Sequence, residues 1–166
     1  MSWSSTNGGI KIMECLYVML EAGCIITRLL IIGKRITIGF TMNDSAWTIM
    51  SSGSGRINKI CEQVKSFNII SDRDWHHHTS QFYCGLANNT NPEIDHITTT
   101  TTTNSNTHNK NVAIMTFILN AMVSGWRVRK SFSRGGGEYR FNKDHLGKRK
   151  YLNAKFLSRF LERNIN

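Results

Sequence analysis

The sequence is poor in proline and in long uninterrupted apolar runs. It has one proline and 13 glycines in 166 residues, so its turns must rely on Gly, Asn and Asp. The most apolar stretch, from Ile10 to Ile32, is interrupted by Glu14, Glu21 and Arg28. Each charge costs about 2.5–3.5 kcal/mol at a bilayer centre, which predicts no membrane span. An apolar fraction of 40% still suffices for a core and argues against global disorder.

Motifs for metal binding and catalysis are also lacking. The segment Asp72–His78 carries three adjacent histidines, but neighbouring histidines do not all reach one ion, and no C-x-x-C spacing accompanies them. We expect a surface loop there, with no metal and no other cofactor. An aspartate–histidine pair in the same segment lacks a nucleophile, so we predict a non-catalytic protein. The Gly135–Gly137 run lacks the Lys-Ser/Thr of a phosphate-binding loop and predicts a turn.

The cysteines form no recognisable framework. The four thiols are widely spaced, at Cys15, Cys24, Cys61 and Cys84. Two of them lie in apolar surroundings, which predicts buried free thiols. This pattern favours a reducing intracellular compartment over secretion.

The net charge of the chain is concentrated in its last third. The whole sequence carries +10, and residues 110–166 alone contain 13 basic and three acidic residues, which also gives +10. Residues 1–109 contain eight of each sign and are neutral. Such an asymmetry predicts an anionic partner for the last third. The alternative is a basic surface that serves solubility alone.

The first 95 residues are expected to form a neutral α+β region, whose independent folding stays an open question. Apolar residues at helical spacing predict a helix, weakened by Gly23 within it. Alternation of apolar and polar residues then predicts two strands around a turn, and a second apolar stripe predicts an amphipathic helix. These elements are, in order, a helix over Ile12–Ile32, strands over Lys34–Thr41 and Ala46–Met50 joined by Asn43–Asp44, and a helix over Arg56–Phe67.

A polar segment follows and separates the two parts of the chain. Ser71–Thr107 is predicted to be mostly irregular, and it ends in six consecutive threonines, Thr98–Thr103. Such a run cannot bury a core, which predicts a disordered Thr/Asn-rich linker over residues 96–111. The predicted division is therefore 1–95, 96–111 and 112–166.

Residues 112–166 are predicted to form a basic helix–hairpin–helix module. The apolar run Val112–Val123 predicts a buried helix, with Gly125 as its C-cap. Trp126–Phe132 and Glu138–Phe141 alternate like strands of a hairpin, and a charged connection and a final helix from Asn153 follow. The fold class is thus α+β with small αββα units, and their similarity suggests an internal repeat.

The candidate binding residues are the basic residues of this module. Alternation places Arg127, Arg129 and Arg140 on one hairpin face, and Trp126 and Tyr139 on the opposite face. Exposed aromatic rings would stack on unpaired bases, but we expect both rings in the core. The remaining candidates are Lys148, Arg149, Lys150, Lys155 and Arg159. Together these residues predict sequence-independent contacts to the phosphates of nucleic acid. The alternative is a protein–protein or structural role with an acidic partner, and the oligomeric state stays open.

A short pattern runs from Asn120 to the C-terminus. An apolar helix ends in Asn-Ala-Met, then Gly125-Trp126-x-Val128-x-Lys130 and Tyr139-x-Phe141-x-Lys143-x-His145 follow, and the last helix carries Phe156-Leu157 and Phe160-Leu161. In these motifs the sequence resembles a short C-terminal domain of uncharacterised proteins of large nucleocytoplasmic DNA viruses. The resemblance does not extend to the first 110 residues. It implies a viral setting and no particular chemistry.

Overall fold

The computed structural model describes residues 7–84, 97–132, 138–143 and 148–152. These residues form an α+β fold, which confirms the predicted class. The helices are α1 (Asn7–Glu21), α2 (Arg56–Ser66), α3 (Asp72–Cys84) and α4 (Ile97–Val123). The strands are β1 (Ile25–Ile32), β2 (Arg35–Met42), β3 (Ser45–Ser52), β4 (Arg127–Ser131), β5 (Glu138–Lys143) and β6 (Lys148–Leu152). None of the described helices is both long enough and apolar enough to cross a membrane.

The strands form one antiparallel sheet in the order β3-β2-β1-β4-β5-β6. Each half of the sheet is a meander of three consecutive strands, preceded by a helix. The halves meet where β1 pairs with β4, with Ile26 opposite Val128. Counted outward from the centre, each half has its first, second and third strands in the same order, and the two central strands are antiparallel. The two halves are therefore related by an approximate twofold axis through this central pair.

The same turn leads from helix to strand in both halves. Gly23 after α1 has a φ of 97° and Gly125 after α4 has a φ of 99°. A glycine with positive φ ends a helix without the steric penalty that a β-carbon would bring. The hydrogen bonds match as well, with Cys24 N–H donating to Met19 O at 2.9 Å and Trp126 N–H to Ala121 O at 3.0 Å. The two halves therefore correspond as a helix followed by three strands, and not as the αββα units of the predicted internal repeat.

The predicted helix over Ile12–Ile32 is wrong beyond Glu21. Gly23 turns the chain, and Ile25–Ile32 is the strand β1. The residues after the glycine are rich in β-branched isoleucine and threonine, which favour strands. β1 pairs along its length with β2 and at Ile26 with β4. The predicted hairpin that follows is present as β2 and β3, with Asn43 and Asp44 at φ values of 52° and 66°.

Two helices occupy much of the segment that was expected to be irregular. In α3, Ser71 Oγ caps the helix by accepting the Asp74 N–H at 3.1 Å, and Trp75 and Phe82 are buried in the core. The predicted linker also differs from the structure, because α4 begins at Ile97 and includes the threonine run. The two parts of the chain share one sheet and one hydrophobic core.

The end of the chain also departs from the predicted αββα units. Lys148–Leu152 forms a third strand, β6, beside β5, where a charged connection was expected. A basic strand is common at the edge of a sheet, because charged side chains discourage pairing with further chains. The final helix predicted from Asn153 lies outside the described residues.

The described helices cover one face of the sheet. α1, α2 and α4 contact the strands directly, and α3 packs against α1 and α4. The strands contribute alternate residues to this helix-facing side, and these residues are buried, as for Ile26, Ile36, Ile38, Phe40, Ile49, Val128, Tyr139 and Phe141. The opposite side of the sheet, which we call the open face, has no described helix against it.

Candidate nucleic-acid interface

The open face is built by the residues that alternate with the core positions. In β2, Ile36 and Ile38 face the helices, so Arg35 and Thr37 lie on the open face. In β4, Val128 is fully buried between Arg127 and Arg129, which are both exposed. Strand alternation therefore separates an apolar side of the sheet from a polar one.

Five arginines of strands β1–β5 lie on the open face. They are Arg28, Arg35, Arg127, Arg129 and Arg140. The place of Arg28 follows from a bulge at Thr27, after which Arg28 pairs with Gly39. A β-carbon at Gly39 would lie 3.3 Å from Arg28 Cβ and 3.1 Å from Thr27 Oγ1. Glycine at this position therefore leaves room for the arginine side chain to stand on the open face.

A shallow depression lies at the centre of the open face. It has a volume of about 380 Å³ and is lined by residues of β1, β4 and β5, among them Ile25, Arg127, Arg129, Arg140 and Asn142. Arg129 stands opposite Arg140 in the β4–β5 register. Arg140 Nε lies 3.8 Å from Glu138 Oε2. The three hairpin arginines singled out from the sequence thus share one face and one depression.

Acidic groups are scarce on the same face. Among the described carboxylates, Glu138 is the one that the strand register places there. The others lie on helices or in a turn, namely Glu14, Glu21, Asp44, Glu62, Asp72 and Asp74. The open face therefore carries a clear excess of positive charge over its described strands.

The other conspicuous side chains of the hairpin point to the helices. Lys130 pairs with Glu21 of α1, and the two side chains are 15% and 11% exposed. Lys130 Nζ also lies 5.6 Å from the ring centroid of Tyr139. Tyr139 is buried, and burial, with the nearby Glu21 carboxylate, raises the pKa of its phenol far above the ordinary range. Lys130 and Tyr139 therefore stabilise the contact between sheet and helices.

The aromatic residues singled out from the sequence lie in or against the core. Tyr139 faces the helices, and Trp126 is half-buried with Lys143 Nζ 5.5 Å from its ring centroid. The strands β1–β5 carry every one of their aromatic residues on the helix-facing side. Strands β1–β5 therefore offer no aromatic ring to an unpaired base, and in β6 the register places Tyr151 opposite Arg140.

The remaining binding residues predicted from the sequence lie in β6 or outside the described residues. Lys148, Arg149 and Lys150 belong to β6, where Arg149 pairs with Asn142 and Lys150 with Phe141. Lys155 and Arg159 lie outside the described residues.

Sequence reasoning missed Arg28 and Arg35 as members of the arginine cluster. The alternation in Lys34–Thr41 already placed Arg35 on a polar face. Because a helix was predicted over Arg28, the pairing of β1 with β4 that joins the two halves could not be anticipated.

A second group of titratable residues lies on the helix side. The Cys15 and Cys61 thiols are hydrogen-bonded to each other. This hydrogen bond, together with burial, raises the pKa of Cys15, and the same hydrogen bond lowers the pKa of Cys61 against the opposite effect of burial. They line an opening of about 220 Å³ together with Lys11, Glu14 and Lys65. This group lies on the opposite side of the sheet from the arginines.

The histidine segment Asp72–His78 is helical, and not the loop that was expected. His78 Nδ1 lies 3.2 Å from Gln81 Oε1, and the His77 and His78 rings are 5.4 Å apart. Within the described ranges, no three His, Cys, Asp or Glu side chains are grouped so that they could hold a metal ion.

Comparisons with protein-family models, with curated proteins and with solved structures find no match to this chain.

Proposed function

We propose that the protein is a non-catalytic binding protein that holds nucleic acid on the open face of its sheet. The observation that carries this proposal is the presence of five arginines and one carboxylate on strands β1–β5 of a sheet face that no described helix covers. Arginine is the side chain best suited to phosphate oxygens, because its guanidinium donates several hydrogen bonds in a fixed plane.

The binding draws its free energy from phosphate neutralisation and is therefore independent of base sequence. Each neutralised phosphate releases counterions, so affinity falls steeply as the salt concentration rises. The other basic candidates are Lys148, Arg149, Lys150, Lys155 and Arg159. Of the three in β6, Arg149 pairs with Asn142 of the open face, whereas Lys148 and Lys150 pair with the helix-facing residues Lys143 and Phe141. The resemblance to viral C-terminal domains favours a viral setting for this activity.

A charge-reversal experiment tests the proposal. The double variant Arg127→Glu/Arg129→Glu loses most of the affinity for a fluorescent DNA duplex, and the slope of log K against log salt falls by about 2. Both side chains are exposed, so the fold is kept. Fluorescence anisotropy across a salt series gives the affinity, and circular dichroism checks the fold.

A matched control distinguishes binding at the open face from an effect of net charge alone. Lys59→Glu/Arg73→Glu makes the same change of charge at exposed positions of α2 and α3. It keeps most of the affinity of the unaltered chain. Equal losses in the two double variants, or no binding by the unaltered chain at low salt, would contradict the proposal.

A second candidate function is docking to an acidic protein. The observation in its favour is a pair of exposed apolar side chains on the same face, Ile32 at 60% and Met50 at 52% exposure, next to the arginines. Competition distinguishes the two functions, because both are weakened by salt. The protein partner is favoured if a large excess of polyglutamate displaces DNA from the protein and DNA does not displace polyglutamate.

A further inference from the structure

The two halves of the sheet place one arginine each at equivalent positions of the open face. Arg28 comes one pairing step after Ile26, and Arg129 comes one step after Val128. Ile26 and Val128 pair with each other at the centre of the sheet. The bulge at Thr27 adds the one residue by which the two segments differ in length. Arg28 and Arg129 are therefore related by the approximate twofold axis.

The spacing of these two arginines follows from sheet geometry. Arg28 and Arg129 lie on neighbouring antiparallel strands. Each is displaced by one pairing step from the central pair of Ile26 and Val128, in opposite directions. With strands about 4.8 Å apart and a rise of about 3.3 Å per residue, their Cα atoms are about 8 Å apart. Long side chains that diverge from this spacing can reach both sides of a duplex groove, which is about 6 Å wide in the minor and about 12 Å in the major groove of DNA.

The side chains around the pair argue against recognition of single strands. Proteins that bind single strands stack bases on aromatic rings, each worth about 1–3 kcal/mol. The aromatic residues of β1–β5 all face the helices, and Tyr151 of β6, which pairs with Arg140, is the one aromatic residue that the register of the described strands places on the open face. A single position does not make a row of rings on which successive bases stack. The open face instead offers positive charge. A duplex makes better use of it, because a duplex presents more phosphates per unit length than a single strand.

We propose that the ligand is a double-stranded nucleic acid whose two antiparallel backbones lie on either side of the central β1–β4 pair, with Arg28 contacting one backbone and Arg129 the other. A duplex has local twofold axes across its backbones, which match the twofold relation of the two arginines. This inference rests on the proposed function and adds the strandedness of the ligand and the role of Arg28, which lies in the electrically neutral part of the sequence.

The first test compares a short mixed-sequence duplex with each of its separated strands by fluorescence anisotropy, using the full chain at one salt concentration. DNA and RNA duplexes form separate arms. We expect a duplex to bind about tenfold more tightly than either strand, because more phosphates are neutralised. Equal affinities for duplex and single strands overturn the inference and leave the proposed function standing. No binding of any probe overturns both.

The second test uses single arginine variants. Arg28→Ala and Arg129→Ala each weaken duplex binding by about three- to tenfold and lower the salt slope by about 1. Arg28→Lys keeps the charge and restores most of the affinity. Arg73→Ala on α3 removes the same charge from an exposed position on the helix side and serves as the control. An Arg28→Ala variant that keeps its circular dichroism spectrum and binds the duplex as well as Arg73→Ala does overturns the inference.

Discussion

Cys24 shows how one buried side chain can determine the response of this protein to alkaline conditions. It follows the glycine at the end of α1, is fully buried, and donates its S–H to Met42 Sδ at 3.5 Å. Burial raises the pKa of this thiol from 9.0 to about 12. The folded protein therefore keeps the Cys24 proton at pH values where the unfolded chain has lost it.

The sign of the resulting pH dependence is fixed by these pKa values. Between pH 9 and about pH 12, the unfolded state gains stability by ionising Cys24, and the folded state does not. We expect the free energy of unfolding to fall as the pH rises through this window, by about 1 kcal/mol at pH 10 from this thiol. Urea denaturation at several pH values measures the effect.

A substitution distinguishes the contribution of the Cys24 thiol to this pH dependence from the contributions of other titrating groups. Burial also raises the pKa values of the Tyr17, Tyr83 and Tyr139 phenols, and the pKa of the Cys15 thiol is raised as well, so these groups add to the alkaline loss in the same direction. Cys24→Ala removes the contribution of the Cys24 thiol and leaves those of Cys15 and the tyrosines. An unchanged alkaline slope in this variant would show that Cys24 ionises freely in the folded state.

The helix ends are the elements in which the two halves agree most closely. A β-carbon at Gly23 would meet no atom within 4 Å, and one at Gly125 would meet only Lys143 Cε at 3.5 Å. Space is thus available at both positions, and the positive φ alone disfavours other residues.

We therefore expect Gly23→Ala and Gly125→Ala to destabilise the fold by similar amounts, about 1–2 kcal/mol each. Chemical denaturation of the two variants measures the loss. Ser124→Ala, at the exposed residue before Gly125, is the control and changes stability little. A loss confined to one glycine would argue against equivalent turns in the two halves.

Elements with a strict period were predictable from the sequence, and so was the arginine cluster on β4 and β5. The strands β2 and β3 alternate cleanly because one side of each packs on helices, and α2 has a single apolar stripe for the same reason. β1 was mistaken for helix because apolar residues on both of its faces remove the alternation. The signal for a boundary was Gly23, followed by β-branched residues.

Elements whose support comes from distant contacts were not predictable. In α3, Trp75 and Phe82 lie two helical turns apart and bury against other parts of the chain, but the polar residues between them read as a loop. Arg28 joined the candidate site only once β1 was known to be a strand next to β4. No local pattern encodes that pairing, because it depends on packing between the halves.

At the scale of the whole molecule, the two halves are joined by more than the chain. They share the central β1–β4 pair, one hydrophobic core, and the ion pair between Glu21 and Lys130. A core shared in this way couples the stability of one half to that of the other.

Ile118→Ala tests this coupling, since Ile118 of α4 is fully buried. The substitution costs about 2–5 kcal/mol. In a Trp126→Phe background the remaining tryptophans, Trp3, Trp47 and Trp75, all precede residue 96. We expect urea transitions followed by fluorescence and by circular dichroism to shift together to lower urea.

Val123→Ala, at an exposed position of the same helix, is the control and shifts neither transition much. A fluorescence transition that stays in place while the circular dichroism transition moves would mean that residues 1–95 unfold as a separate domain.

The pairing of β1 with β4 also has a consequence for the nascent chain. Ile26 and Val128 are 102 residues apart in the sequence. At about 5–20 residues per second, the ribosome needs about 5–20 s to synthesise that interval. During this time β1 has no partner on its β4 side, and an apolar strand edge invites pairing with other chains. Arg28 is the single charged residue of β1. We therefore expect the arginine that we assign to ligand binding also to limit aggregation during synthesis.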